Sequence, residues 1–433
     1  MKKMHAHTKQ PAVVPGPRPR ILVIGGGAAG LMAAGQAALS GAKVLVLEKM
    51  RLPGRKICIT GKGRCNLTNV APLPEFLGHF GPTGSFLRQI FHQFFTPELL
   101  FFFNELGLPT VTERGGRVFP KSGKAPEVLA VFQQWLKGLN VEIRTDTQVD
   151  ALALHDQSIS GVIVGKTMIP ADRVILATGG ASYPLTGSTG DGYKLAQQTG
   201  HTLVPTRPAL VPIVTAGSVA SELDGLQLRN ILVRLFIAGK KKAEAFGELT
   251  FTDFGLSGPV ILTLSGTVVD ALRNKDEVYL LLDLKPALNE KKLDARLLRD
   301  LQNRQAETMQ SVLRGLMPQK MVSVALQAVQ IDPQQQAGTL RSQSRKKLRH
   351  WLKNFRLEVT AHRPLKEAIV TAGGVDTREV DPRTMESRRT PGLYFAGEVL
   401  DIQADTGGYN LQAAFSTGWL AGRAAAAAAG EER

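Results

Sequence analysis

The sequence predicts an α/β fold: a Rossmann-type parallel-sheet domain interrupted by an inserted β-barrel and a small helical subdomain. Three observations predict it. A strand, a glycine loop, a helix and a second strand follow one another over residues 21–49. Two later segments, 174–180 and 393–408, each run an apolar strand into glycine. Between them lies a long interval that reads first as short β runs and then as basic helices.

Taken in chain order, residues 1–19 form a basic, proline-bearing tail without an acid, expected to be disordered. Residues 20–195 make the first part of the parallel-sheet domain. Residues 196–285 and 341–366 make the barrel, on runs such as "NILVRLFIAG" and "VYLLLDL" bounded by turns. Residues 286–340 form the helical insert, with apolar residues at helical spacing in "LDARLLRDLQ" and "MVSVALQAV". Residues 367–433 return to the first domain.

The 433 residues suffice for several domains. Two cysteines, Cys58 and Cys65, exclude a disulfide scaffold and fit a reducing compartment. No apolar run reaches the roughly 18–20 residues that span a bilayer, and no secretory leader is visible, so a cytoplasmic protein without a membrane partner is expected. The eight histidines form no ligand cluster, and no metal site, P-loop or nucleophile elbow is found. Lys and Arg number 53 against 37 acids, a net charge of +16. Half of that excess lies in residues 285–350, a distribution suited to a polyanion such as nucleic acid.

The first motif carries the most chemistry. Ile21–Ile24 is a buried strand; Gly25, Gly27 and Gly30 give G-x-G-x-x-G; a helix including Ala28 and Ala29 follows; and Val44–Leu47 is the second strand. In such a unit the first glycine allows the tight turn, the second lets backbone approach a pyrophosphate, and the third lets helix and strand pack closely. The helix N-terminus offers unpaired N–H groups and a positive dipole end to phosphate. Glu48 ends the second strand, eighteen residues after Gly30, and is placed to accept ribose hydroxyls. The unit is a dinucleotide site. "ADRVILATGGASYP" then gives a strand ending in Thr178, Gly179 and Gly180, and "YFAGE" leads through Gly397 and Glu398 to Gly408 and a helix starting near Tyr409, Asn410 and Leu411.

This ordering resembles the glutathione-reductase-like flavoproteins. The resemblance implies that the first glycine motif holds the ADP half of FAD and that the "ATGG" and "YFAGE" segments line it. It also implies that the helix after Gly408 aims its N-terminus at the flavin. No second strand–GxGxxG–helix unit is present, so NADH or NADPH is expected only as a transient reductant. Six stretches narrow the likeness: "GRKICITGKGRCNLTN" (54–69), "GGRVFPKSGKA" (115–125), "GSTGDGYKLAQQTGH" (187–201), "GELTFTDFGLSGPVIL" (247–262), "AIVTAGGVD" (368–376) and "GLYFAGEVLDIQADTGGYNLQAAFSTG" (392–418). Together they resemble bacterial NAD(P)/FAD-dependent oxidoreductases of the aminoacetone-oxidase-like family. That family includes bile-acid-pathway enone reductases and a dihydrouridine synthase acting on large-subunit ribosomal RNA. One departure is Asp253, where the family shows histidine.

The stretch 60–69, "TGKGRCNLTN", follows the second strand and is expected as a cofactor loop. Its glycines, including Gly63, admit close backbone, while Arg55 and Arg64 offer charge to phosphate or to an anionic substrate. Lys49, Lys56 and Asn66 join the cofactor set. Cys58 and Cys65 are seven apart, unlike the spacings of flavin-linked disulfides. Cys65 is either a proton donor or a packed small residue. Asp191 is expected to cap the helix it begins. The expected function is FAD-dependent reduction of a carbon–carbon double bond, with uridine in ribosomal RNA favoured as substrate and Arg345, Lys346, Lys347 and Arg349 gripping phosphates. A small-molecule amine oxidase or enone reductase, and an RNA-binding protein with structural FAD, are the rivals.

Overall fold

The computed structural model describes residues 18–431, so the expected basic tail lies, but for its last two residues, outside the described residues. Strand β1 (Arg20–Ile24), helix α1 (Ala28–Leu39) and strand β2 (Lys43–Leu47) form the first unit. Their apolar runs are buried because the sheet is covered on both faces. The sheet has five strands in the order Leu393–Phe395, Arg173–Leu176, β1, β2 and Glu142–Arg144. Every pairing is parallel. Parallel strands place their carboxyl ends on one edge, and the loops from Gly25, Glu48, Ala177 and Ala396 gather there.

The C-terminal helix, Tyr409–Glu431, runs beside α1 in the same direction. A Cβ on Gly418 would lie 2.3 Å from the Ala29 carbonyl oxygen, and one on Gly422 would lie 2.2 Å from that of Ala33. The pairings advance by four residues on both helices, so the axes are parallel and nearly touching. Ala29 is the second residue of its helix and Gly418 the tenth of the other. At 1.5 Å per residue the two N-termini are therefore staggered by about 12 Å on the same side of the sheet. Behind them the aromatic run of residues 90–103 is largely core: Phe91, Phe94 and Phe103 are buried, and Phe103 packs edge-on against Phe132 and Phe415.

Two antiparallel strands, Leu203–Ala209 and Val370–Val375, lead out of this domain and back. Beyond them six strands close a barrel in the order Ile213–Thr215, Gly255–Ser257, Lys240–Thr252, Gln227–Ile237, Val278–Asp283 and Phe355–His362. The helix Pro259–Arg273 contributes Val260, Ile261, Leu264 and Val268 to the barrel's core. Helices Glu290–Asn303, Met309–Leu313, Gln319–Val329 and Ser342–Lys353 form the helical subdomain. The expected break at 341 needs correction. Ser342–Lys353 packs on the helices Glu290–Asn303 and Gln319–Val329 through Leu348 and Leu352, and the barrel resumes only at Phe355. Among the described residues no helix is long and apolar enough to cross a membrane.

Candidate active site

At the carboxyl edge of the sheet lies a cavity of about 1050 Å³, lined from below by the sheet domain and from above by the barrel. Gly25, Gly27, Ala28, Ala29, Glu48 and Lys49 line one end. Gly25 has φ +103°, and a Cβ there would meet the Ala177 carbonyl at 2.6 Å. Gly30 lies behind the lining, where a Cβ would fall 1.9 Å from the Gly25 carbonyl. Gly27 differs from both. Its backbone is extended, and a Cβ on it would meet nothing within 4 Å. The protein alone gives no reason for a glycine here; a ligand drawn close to the α1 N-terminus does. Glu48 is buried and accepts the Gly26 N–H at 2.7 Å and the Met50 N–H at 2.8 Å, which locks the glycine loop onto β2. Lys49 pairs with Asp191 at 2.9 Å. Asp191 is the first helical residue, with Gly190 as the cap, so it serves as Lys49's counter-ion and not as the expected N-cap.

The helix α2 (Arg55–Gly63) crosses the floor and breaks within itself: Thr60 is extended, and Gly61 and Lys62 are left-handed. The break turns Gly61, Lys62, Arg64 and Asn66 towards the cavity, whereas Gly63 and Cys65 are not among its lining. Arg55 lines the cavity and has no ion pair among the described residues. Lys56 binds Glu398 at 2.7 Å and Ser182 at 2.8 Å. Arg64 is committed to Glu113 and lies 4.3 Å over the Phe119 ring, so its charge is largely spent within the protein.

Of the two alternatives for Cys65, the structure takes the packed one. It is fully buried beside Thr60, outside the cavity wall, and burial pushes its thiol up to about 12. A thiol held there neither ionises near neutrality nor reaches a ligand in the cavity. Cys65→Ala is expected to keep flavin content and turnover within about threefold, as general acids contribute roughly 100-fold or more. Absorbance and steady-state rates check this, and native Cys65 should resist alkylation at pH 8.

Thr178 and Gly179 line the middle of the cavity, and Gly180 is packed against Thr371 behind it. Gly397 and Glu398 line the cavity from the turn after the edge strand, where Glu398 meets Lys56. Glu398 also accepts the Thr371 N–H at 2.7 Å. At the far end are Gly407, Gly408, Asn410 and Leu411, at the start of the C-terminal helix. The Tyr409 side chain turns away instead, stacking on His79 at 4.0 Å and meeting Phe76 edge-on. Asn410 exchanges hydrogen bonds with the Ala404 backbone and so fixes the preceding loop. Asp405, in that loop, pairs with His79 at 2.9 Å.

These residues fit FAD. Two staggered helix N-termini face one elongated cavity, each suited to negative charge. Gly27 leaves room that only a ligand would use. Asn66 Oδ1 is buried beside Gly408 without a partner among the described residues, an arrangement that costs roughly 1–3 kcal/mol unless a ligand donor satisfies it.

The expected RNA-contacting group divides. Arg345 binds Asp294 at 3.1 Å, and Arg349 binds the same carboxylate at 3.4 Å, while Lys346 and Lys347 are exposed. No residue of the helical subdomain lines the cavity. Asp253 is exposed on the turn after Thr252 and also stands outside the lining. What sequence reasoning missed is the barrel's share: Gln227, Glu248, Thr250, Thr252, Ser257 and Leu262. Tyr183 was missed too, although it lies within the quoted "ATGGASYP" segment. Among the described residues no cluster of three or more His, Cys, Asp or Glu could hold a metal ion.

Comparison with known proteins agrees with this architecture. The pattern of the family described as HI0933-like protein Rossmann domain matches residues 19–424. A 3-dehydro-bile acid delta(4,6)-reductase of Clostridium scindens is 37% identical over 94% of this chain and 99% of its own length. A ribosomal RNA dihydrouridine synthase of Escherichia coli is 31% identical over 92% of this chain and 96% of its own. Among solved structures, the 3-ketosteroid-delta4-(5alpha)-dehydrogenase from Rhodococcus jostii shares the fold with a TM-score of 0.53. That likeness covers 96% of this chain and 98% of the other at 17% identity.

Proposed function

Because this chain belongs to the HI0933-like Rossmann-domain family and is an FAD-dependent oxidoreductase, we propose that it reduces a carbon–carbon double bond conjugated to a carbonyl, with NADH or NADPH as transient reductant. The observation that carries this reading is the shared cavity. The dinucleotide cradle and the barrel wall enclose one space, so a substrate held under the barrel lies against the cofactor. FAD, when bound, supplies the hydride. The chain's residues do the rest. The α1 N-terminus and Glu48 hold the adenosine diphosphate half. The C-terminal helix stabilises negative charge at its own end. Thr250, Thr252, Ser257 and Gln227 offer hydrogen bonds to a carbonyl, while Leu210, Pro259 and Leu262 exclude water.

A small-molecule enone is the substrate class that this wall favours, since its barrel side carries neutral and apolar groups with one carboxylate, Glu248. The relative named as a bile acid reductase supports the same class. Uridine in ribosomal RNA is the second reading, favoured by the +16 charge and the relative named as a dihydrouridine synthase. Its C5=C6 bond is likewise conjugated to a carbonyl. Against it, Arg345 and Arg349 are drawn inward by Asp294.

The test is anaerobic. Protein reduced by NADH or NADPH is mixed with a cyclic 4-en-3-one or with protein-free ribosomal RNA, and flavin absorbance is followed. The enone is expected to restore the oxidised spectrum within seconds and to gain two hydrogens. Reoxidation by RNA alone, with a uridine two mass units heavier, would move the assignment to RNA, and Lys346→Glu with Lys347→Glu should then weaken binding.

A further inference from the structure

Reduction of a conjugated double bond needs a proton as well as a hydride, and the cofactor does not supply it at the second carbon. Among the described residues, the cavity lining contains no histidine and no cysteine. Its carboxylates are largely engaged: Asp191 with Lys49 at 2.9 Å, Glu398 with Lys56 at 2.7 Å, Asp405 with His79 at 2.9 Å, and Glu48 with two backbone N–H groups. Glu248 is exposed and lies 3.9 Å from Arg229.

One weak acid remains that is both partly buried and unpaired. Among the described residues, Tyr183 is the only tyrosine of the lining, and its hydroxyl has no hydrogen-bond partner there. Its backbone is left-handed, with φ +52° and ψ +60°, a conformation that costs a bulky residue roughly 1–3 kcal/mol and gathers at functional sites. The turn is held regardless. The Tyr183 carbonyl accepts both the Thr186 N–H at 2.8 Å and the Thr186 hydroxyl at 2.7 Å. The preceding residue, Ser182, receives a hydrogen bond from Lys56 and donates to the Ile369 carbonyl and to Glu398, each at 3.2 Å. Ile369 lies immediately before the strand that returns from the barrel. Ser182 thus ties the strained residue to the strand that returns from the barrel, and Tyr183 lines the cavity that sheet domain and barrel share.

We propose that Tyr183 is the general acid of the reaction, an inference that rests on the carbonyl-conjugated substrate proposed above. Hydride added to the β-carbon pushes the π electron pair onto the α-carbon and carbonyl as an enolate. The Tyr183 O–H bond breaks, its proton forms the new α-carbon C–H bond, and the phenolate recovers a proton from water. The double bond is reduced by two electrons drawn ultimately from the nicotinamide.

The test separates the half-reactions in Tyr183→Phe, which keeps the ring and removes only the hydroxyl. Reduction by NADH or NADPH, flavin content and the dissociation constant of the 4-en-3-one are expected to stay within about threefold. Reoxidation by the enone is expected to slow by roughly 100-fold or more, the usual contribution of a general acid. Equal reoxidation rates in wild type and variant would overturn the assignment while leaving the proposed reaction intact. So would loss of reoxidation in Lys62→Met with retention in Tyr183→Phe, which would make Lys62 the acid. A wild-type protein that neither the enone nor RNA reoxidises would refute the proposed function itself.

Discussion

Gly27→Val is expected to fold as well as the native chain and to emerge from purification colourless. The residue has an extended backbone, φ −83° and ψ −169°, which valine adopts without strain, and a new Cβ would meet no atom within 4 Å. In the absence of a cofactor, then, the melting temperature should move by no more than about 2 °C, in line with the small effect of substitutions that touch nothing. The same side chain would stand over the first turn of α1, between the helix N–H groups and any phosphate they hold. A loss of at least about 100-fold in flavin affinity is expected, equivalent to about 2.8 kcal/mol. Absorbance of the purified variant and titration of the apo-protein with FAD measure it. The neighbouring glycines make the contrast. A residue at Gly30 would strike the Gly25 carbonyl and Gly25 itself needs its positive φ, so substitutions there should cost the fold along with the cofactor.

The legible part of the site is the part that local backbone builds. Gly25, Gly27, Gly30 and Glu48 lie within one strand–helix–strand unit, and their spacing is the geometry. The segments ending in Thr178, Gly397 and Gly408 could be read because each is an apolar strand, or a helix start, beside glycine. What could not be read depends on register between distant strands. Thr250, Thr252 and Ser257 reach the cavity only because Lys240–Thr252 pairs with Gly255–Ser257 as the barrel closes, and nothing in either stretch announces which residues face inward. The choice between the two roles of Cys65, and the direction of the Tyr409 side chain, were illegible for a related reason. Their neighbours line the cavity, yet a one-residue step on a kinked helix or at a helix start sends the side chain into the core. At Arg345 and Arg349, likewise, a tally of basic residues does not reveal that Asp294 lies across the helix interface.

Gly418→Ala should destabilise the protein although alanine is the better helix former. In an unhindered helix the exchange gains up to about 1 kcal/mol. Gly266, within Pro259–Arg273, is such a position, since a Cβ there meets nothing within 4 Å, and Gly266→Ala is expected to raise stability by that amount. At Gly418 the Cβ would lie 2.3 Å from the Ala29 oxygen and 3.0 Å from its carbonyl carbon. Those are backbone atoms within a helix, so no side chain can swing aside, and the two helices must separate. Overpacking of this kind costs roughly 1–3 kcal/mol, enough to outweigh the propensity gain. Gly422→Ala would repeat the clash one turn on, against Ala33, and the double variant should lose more than either. Denaturant unfolding of the three single variants measures the opposite signs. The separation also has a functional consequence that stability alone does not capture. The close contact is what aligns the two helix N-termini on one cavity, about 12 Å apart along parallel axes. Gly418→Ala should therefore weaken FAD binding even at temperatures where the chain remains folded, whereas Gly266→Ala should leave it unchanged.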